Sequence, residues 1–227
     1  MAVIQHDAFN DPTNTTPDEI SVILTAEEAA SQSQPPTREE RIAKTEKRQH
    51  DMFAKQKYTI IGAYALPPNS PSTPDGLGET ADSSDLPPGA ELAGFAVWQK
   101  IRPSSPPESE ETDKAEREDP TLLNKFFAKM NRTREETMKG KSYWFLKLLT
   151  IHPEHQRKGV GSTLVNWGTQ RADKEQIQAW LESSPMGKGA YLKAGFKVLG
   201  SDQIEEPRAK RGYVEWPYML YEPKPTQ

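Results

Sequence analysis

The chain has 227 residues with 20 prolines, a length that favours one domain and a proline content that places part of the chain outside a packed core. The formal net charge of -4 argues against nucleic acid as a partner, and the absence of cysteine excludes disulfides, thiolate metal sites and a cysteine nucleophile. Because no apolar run approaches about 18 residues and the amino terminus lacks signal-peptide features, we expect no membrane partner and a cytoplasmic protein, with the nucleus not excluded.

The first 37 residues predict an irregular amino-terminal segment, since Pro, Thr, Ser and Gln dominate it after residue 10. Apolar residues between positions 3 and 9 have partial helical spacing. A clear helical pattern runs from Arg38 to about Lys55, where Thr37 and Glu40 have the spacing of a capping box and charges of both signs indicate a solvated face. We therefore expect the folded domain to span residues 38–227.

Two strands are predicted next, from Tyr58 to Ala65 and from Glu91 to Gln99, because both segments are rich in apolar and aromatic residues and end at turn residues. Residues 66–90 and 102–120 follow these strands and contain ten of the 20 prolines. The second segment also carries seven acidic residues. We expect both segments to be disordered insertions or surface loops.

Helices and strands alternate in the carboxy-terminal half. The longest apolar run, Tyr143 to Ile151, predicts a central strand that is covered on both faces. This alternation after an antiparallel pair predicts an α/β fold with a mixed central sheet flanked by helices. The other predicted elements are helices from Thr121 to Lys139, Val160 to Asp173 and Gly187 to Ala194, and strands from Ile177 to Glu182, Phe196 to Gly200 and Tyr213 to Tyr221.

The central strand runs through a proline turn into a basic, glycine-rich loop that opens a helix. Backbone N–H groups and the positive end of the helix dipole converge at such a point, which favours an anion. The motif Gln156-x-x-Gly159-x-Gly161, together with Tyr191-x-x-x-Gly195-Phe196 downstream, resembles the GNAT superfamily of acetyl-CoA-dependent N-acetyltransferases, and small fungal-type members in particular. The resemblance implies a GNAT fold, with antiparallel amino-terminal strands and a parallel pair that splays apart at the acetyl-CoA cleft.

The resemblance also implies how acetyl-CoA is held. The central strand pairs with the pantetheine arm, and the glycines let the backbone approach the pyrophosphate. Tyr191 is implied as the acid that protonates the departing thiolate, and a backbone N–H near Leu149 as the donor to the oxyanion. The implied cofactor-binding residues are Leu149, Thr150, Ile151, Gln156, Arg157, Lys158, Gly159, Val160, Gly161 and Ser162.

The general base is not defined by the sequence. Some GNAT proteins place His on the central strand, whereas this chain has Phe145-Leu146-Lys147-Leu148 there. Lys147 either lines the acceptor pocket or extends to solvent, and Glu182 on the next strand is the candidate base, acting through water. His152 and His155 have a spacing that would suit a metal pair, but no third ligand accompanies them, so we expect no metal.

The strand that opens a GNAT domain has no counterpart in the sequence, so the strand from Tyr58 to Ala65 is expected to present an unpaired edge. Three interpretations remain open at this point. The start site is placed too late, or the apolar segment Ile20 to Leu24 replaces the strand, or activity has been lost while the cofactor site is retained.

The sequence therefore predicts an enzyme that transfers acetyl from acetyl-CoA to a primary amine by direct attack in a ternary complex. A small-molecule amine is preferred over a protein tail as the partner, and the oligomeric state stays open. Two alternatives come from other classes: a catalytically degenerate acyl-CoA-binding module, and an interaction scaffold that uses the acidic and proline-rich loops.

Overall fold

The computed structural model describes residues 1–10, 19–30, 34, 36–55, 57–67 and 86–225. Within these residues seven helices and six strands follow one another along the chain. In order they are α1 (Ala2–Phe9), α2 (Glu19–Ala30), α3 (Arg38–Phe53), β1 (Thr59–Ala65), β2 (Glu91–Ile101), α4 (Ser109–Glu118), α5 (Leu122–Thr137), β3 (Tyr143–Ile151), α6 (Val160–Glu175), β4 (Gln178–Glu182), α7 (Lys188–Lys193), β5 (Lys197–Glu205) and β6 (Tyr213–Tyr221).

The strands form one sheet in the order β1-β2-β3-β4-β6-β5. Only β3 and β4 are parallel, and the other neighbours are antiparallel. β3 has the predicted bounds, and its first four residues are buried, as expected for a strand covered on both faces. The predicted mixed α/β sheet is therefore confirmed.

Helix α6 covers one face of the sheet. Leu164 and Val165 are buried in the largest core cluster, and the Trp167 ring meets that of Trp144 edge to face at 5.7 Å. The helix lies so close to β2 that a Cβ at Gly168 would overlap the Trp98 ring. Since interiors pack as densely as organic crystals, this contact fixes the position of α6, and with it the loop that opens the helix.

The opposite face is covered by helices from the amino-terminal half. Ile4 of α1 packs with Phe95 and Val97 of β2, and Met52 and Phe53 of α3 extend this cluster. The predicted capping box of α3 is present, because the Thr37 and Glu40 side chains each accept a backbone N–H from the other residue.

The amino-terminal segment is more regular than the sequence predicts. α1 agrees with the partial helical spacing, but α2 (Glu19–Ala30) contradicts the prediction that residues 1–37 are irregular. Ile20 and Ile23 are buried beside Trp216 of β6, and this burial stabilises the helix. The apolar residues 20–24 are thus helical, and the interpretation that they replace a missing strand is wrong.

The two insertions differ in outcome. Most of the first, residues 68–85, lies outside the described residues. The prediction of disorder over 102–120 is wrong, because α4 (Ser109–Glu118) packs along α5. The Arg132 guanidinium binds the carboxylates of Asp113 at 2.7 Å and Glu116 at 2.8 Å, so the acidic residues that suggested a solvated loop pair with a basic neighbour.

β1 lies at one edge of the sheet and pairs with β2 alone. No strand precedes β1 in the part of the chain that the structure describes, so the expected edge is present. Among the same residues, no helix combines the length and apolar character needed to cross a membrane.

Candidate active site

The parallel strands β3 and β4 separate near the middle of the sheet. They pair at Tyr143, Trp144 and Phe145 of β3, and the pairing ends where Phe145 meets Trp180. β4 continues beside β6 as far as Glu182, and β3 continues beside β2 as far as Ile151. The edge of β3 beyond Phe145 therefore has no partner in β4, and the predicted splayed pair is confirmed.

A β-bulge in β3 lies directly beyond the point of separation. Leu146 of β3 pairs with Trp98 of β2, and Leu148 pairs with Val97, the residue next to Trp98. Lys147 therefore has no partner in β2 and is the extra residue of the bulge. Leu146 belongs to the core cluster on the α6 face, whereas the Lys147 ammonium lies 5.5 Å from the Phe145 ring on the opposite face. The bulge thus directs Lys147 to the side of the sheet away from α6.

The loop after β3 is shaped by its backbone. A 3₁₀ turn at Pro153–His155 leads to Arg157 with φ 60° and to Gly159 with φ 90°, the residue before α6. Glycine adopts the left-handed region at little cost, and no side chain caps the first turn of α6. Gln156 donates from Nε2 to the Ile151 carbonyl at 3.4 Å, which links the loop to the end of β3.

These features fit a phosphate-bearing ligand. Arg157, Lys158 and Gly159 are exposed, and a Cβ at Gly159 would meet nothing within 4 Å. A Cβ at Gly161 would meet only the Ile151 and Leu149 side chains at 3.8–4.0 Å, so packing within the chain does not require glycine there. The loop is open, carries positive charge and presents uncapped N–H groups, which is the combination that binds a pyrophosphate.

Tyr191 lies on α7, the helix after β4. Its side chain is buried in the cluster that includes Leu146 and Leu181, the residues that follow the last β3–β4 pair on each strand. Its ring contacts that of Phe196 edge to face at 6.2 Å. Burial raises the pKa of the Tyr191 hydroxyl, so this group keeps its proton at neutral pH.

A cluster of charged side chains occupies the face toward which Lys147 points. Its centre is Glu108, in the loop between β2 and α4. The Glu108 carboxylate accepts hydrogen bonds from Lys57 Nζ at 2.7 Å, Lys147 Nζ at 3.0 Å and Arg134 Nη2 at 3.1 Å. One carboxylate on this face thus contacts three cationic side chains.

Burial alone would raise the pKa of Glu108. The charges of Lys147 and Arg134 and the hydrogen bonds from Lys57 and Lys147 outweigh it and lower this pKa to about 2. Burial, opposed by Glu108, lowers the pKa of the Lys147 ammonium. The Lys147 side chain is 28% exposed and is held by Glu108, so it lines this face of the sheet and does not extend to bulk solvent.

Glu182 joins the same cluster from β4. Its Oε1 accepts a hydrogen bond from Trp180 Nε1 at 2.7 Å and lies 3.9 Å from Arg134 Nη1. Burial raises the pKa of Glu182, although the charge of Arg134 opposes this change. The structure thus brings Lys147 and Glu182 to one site, on the face opposite to the Tyr191 cluster.

Three members of this cluster were missed by the sequence reasoning: Lys57, Glu108 and Arg134. Glu108 lies among acidic residues and prolines, and its partners are 26 to 51 residues away along the chain. No local spacing signals such a cluster. An interrupted apolar strand at Lys147 was the only sign that a buried anion must lie nearby.

His152 and His155 belong to the 3₁₀ turn that follows β3. His152 Nδ1 accepts the Glu154 backbone N–H at 3.3 Å, and the two imidazole rings lie 5.9 Å apart. Within the described part of the chain, no three His, Cys, Asp or Glu side chains are grouped so as to hold a metal ion.

Comparison with known proteins gives a consistent result. Residues 131–207 match the family model of the acetyltransferase (GNAT) domain. A protein of Stachybotrys chartarum named acetyltransferase is 25% identical over 93 residues, which are 41% of this chain and only 40% of that relative.

The fold is also found in a solved structure. Arylalkylamine N-acetyltransferase 2 from Aedes aegypti superposes with a TM-score of 0.57 and 11% identity, covering 98% of this chain and 94% of that protein. An agmatine N-acetyltransferase variant is similar over 58% of this chain and 70% of its own, with 11% identity and a TM-score of 0.42. Residues 131–207 thus match a GNAT acetyltransferase domain, and the sheet of this chain has the fold seen in the Aedes aegypti structure.

Proposed function

We propose that the protein is an acetyl-CoA-dependent N-acetyltransferase whose acceptor is a primary amine. The observation that carries the proposal is the separation of β3 from β4 after Phe145, which leaves the rest of the β3 edge, up to the open loop that begins α6, without a partner in β4. Leu149, Thr150 and Ile151 offer a free strand edge to the pantetheine arm. Residues 156–162 offer N–H groups and positive charge to the pyrophosphate. When bound, the thioester supplies an acetyl group that an amine can accept.

Tyr191 is the proposed acid. Its hydroxyl is protonated at neutral pH and is proposed to give its proton to a departing thiolate, although burial raises its pKa and so makes it a weaker acid than an exposed tyrosine. It belongs to the cluster of Leu146 and Leu181, where the two strands diverge. The backbone N–H near Leu149 is the proposed donor to the oxyanion.

The opposite face is the proposed acceptor side. Glu108 carries a negative charge there and is already a partner of two primary ammonium groups, those of Lys57 and Lys147. A substrate ammonium is proposed to replace one of them as a partner of this carboxylate. Glu182 remains the proposed base, acting through water. Burial raises the pKa of its carboxyl group toward neutral pH, and a carboxylate with a raised pKa takes up a proton more readily.

We further propose a small-molecule amine as the acceptor and the cytoplasm as the site of action. The relative from Aedes aegypti is named for arylalkylamines, which are primary amines of this kind, but at 11% identity this likeness concerns the fold.

A second candidate is an acyl-CoA-binding module without turnover. One observation favours it: the ammonium groups of Lys57 and Lys147 already engage both Glu108 oxygens. An amine substrate would have to displace one of them. The buried, protonated Tyr191 favours the enzyme instead.

A panel of primary amines, screened for release of free coenzyme A, separates the two candidates. The enzyme releases thiol at a rate that depends on the amine, and Tyr191→Phe slows this release while retaining affinity for acetyl-CoA. The binding module is stabilised by acetyl-CoA against thermal unfolding but releases no thiol with any amine. The latter result would leave the cofactor site in place and refute the transferase.

A further inference from the structure

We propose that Lys147 is itself an acetyl acceptor, so that the protein acetylates its own central strand when acetyl-CoA is bound and no other amine is present. The inference rests on the proposed function, since it requires acetyl-CoA in the cleft between β3 and β4. It adds a modification site at the acceptor face.

The first argument is position. Lys147 is the bulged residue of β3, two residues beyond Phe145, where pairing with β4 ends, and two residues before Leu149. Two residues of a strand span about 7 Å. Lys147 therefore lies on the strand that would pair with the pantetheine arm, next to the backbone proposed to hold the thioester oxygen.

The second argument is environment. The Lys147 ammonium lies 5.5 Å from the centre of the Phe145 ring and 5.9 Å from that of Tyr58, and the side chain is largely buried. Burial and the like charges of Arg134 and Lys57 lower its pKa, against the opposing effect of Glu108. A lysine in such surroundings loses its proton more readily than one in water.

A hydrogen bond also holds the Lys147 ammonium in one position on this face of the sheet. Glu108 Oε2 accepts a hydrogen bond from Lys147 Nζ at 3.0 Å. In the proposed step one ammonium proton passes to water, which reaches the 28% exposed side chain, and the neutral amine attacks the thioester carbonyl. An N–C bond forms, the C–S bond breaks, and the second proton of the nitrogen ends on the thiolate. The products are acetyl-lysine and free coenzyme A.

Lys57 provides a matched comparison within the same molecule. Its ammonium contacts the same Glu108 carboxylate at 2.7 Å. However, Lys57 precedes β1, which is separated from β3 by β2. The proposal therefore predicts acetylation of Lys147 and not of Lys57, although the two amines share a carboxylate.

The test is intact-mass measurement and peptide mapping after the full chain is incubated with acetyl-CoA alone. We expect the mass of one acetyl group to be added, at Lys147, faster than at Lys57 or at the exposed Lys197 of β5. The variant Lys147→Arg should gain no such group. In Gly159→Asp with Gly161→Asp, acetylation of Lys147 should fall to the rate of Lys197, because the carboxylates repel the cofactor.

Acetylation of Lys147 no faster than that of Lys197 in the wild-type chain overturns the proposal. Two further measurements on the same sample tell whether the proposed function falls with it. If acetyl-CoA raises the melting temperature and an added amine is acetylated, the transferase stands and only the self-acetylation is refuted. If neither occurs, both are refuted.

Discussion

The Glu108 carboxylate offers a quantitative test of the charged cluster on the face of the sheet opposite α6. It is the shared partner of Lys57, Arg134 and Lys147. The substitution Glu108→Gln keeps the size of the side chain and removes its charge. We expect it to destabilise the protein, because it leaves buried cations without their counter-charge.

The magnitude follows from the pKa. The pKa of Glu108 falls from an ordinary 4.5 to about 2 in the folded protein. At 1.36 kcal/mol per unit, this lowering corresponds to about 3 kcal/mol of stability at neutral pH. Since the folded pKa is the lower one, this stability is fully present above the unfolded value of 4.5 and is lost as the pH falls through 2.

Urea denaturation between pH 7 and pH 3 measures the effect. The difference in unfolding free energy between the wild type and Glu108→Gln should be about 3 kcal/mol at pH 7 and shrink to about half that value near pH 3. Glu110→Gln, at an exposed position in the first turn of α4, is the control and should change stability by no more than about 0.5 kcal/mol. A difference below about 1 kcal/mol at pH 7, or one that does not vary with pH, refutes the reasoning.

Tyr191→Phe should leave the affinity for acetyl-CoA unchanged and lower kcat by about 10² to 10⁴ with a proven amine, and equal turnover would show that Tyr191 only packs. Gly168→Ala should destabilise the fold by about 1–3 kcal/mol in urea, because the new Cβ would overlap the Trp98 ring, whereas Gly189→Ala in α7, where a Cβ meets nothing within 4 Å, should be neutral or stabilising. Thr37→Ala should cost about 1 kcal/mol through loss of the α3 cap, and an unchanged denaturation midpoint would contradict this.

The sequence was sufficient where local chemistry decides the structure. Thr37 and Glu40 define the start of α3 through hydrogen bonds three residues apart. The largely apolar run at Tyr143–Ile151 defines β3, and Gly159 defines the start of α6 because the backbone there has a positive φ. In each case the information lies within a few residues of the feature.

The sequence was insufficient where the structure depends on residues that are far apart along the chain. The apolar residues of α2 sit in a polar, proline-rich region, and their helix is stabilised by burial against Trp216, almost 200 residues away. Glu108 belongs to a segment that reads as a solvated loop, and its burial depends on cations from α5, β3 and the residue two before β1. Such ion pairs leave no periodic pattern, so only the folded arrangement could place Glu108 beside Lys147 on the face of the sheet opposite α6.

The central claim is that the splayed edge of β3 and the loop before α6 form the site for acetyl-CoA. Calorimetric titration of coenzyme A into the wild type and into Gly159→Asp with Gly161→Asp tests it most directly, with circular dichroism to show that the double variant is folded. We expect saturable binding to the wild type and loss of most of that affinity in the folded variant. Equal affinity in the two proteins would contradict it.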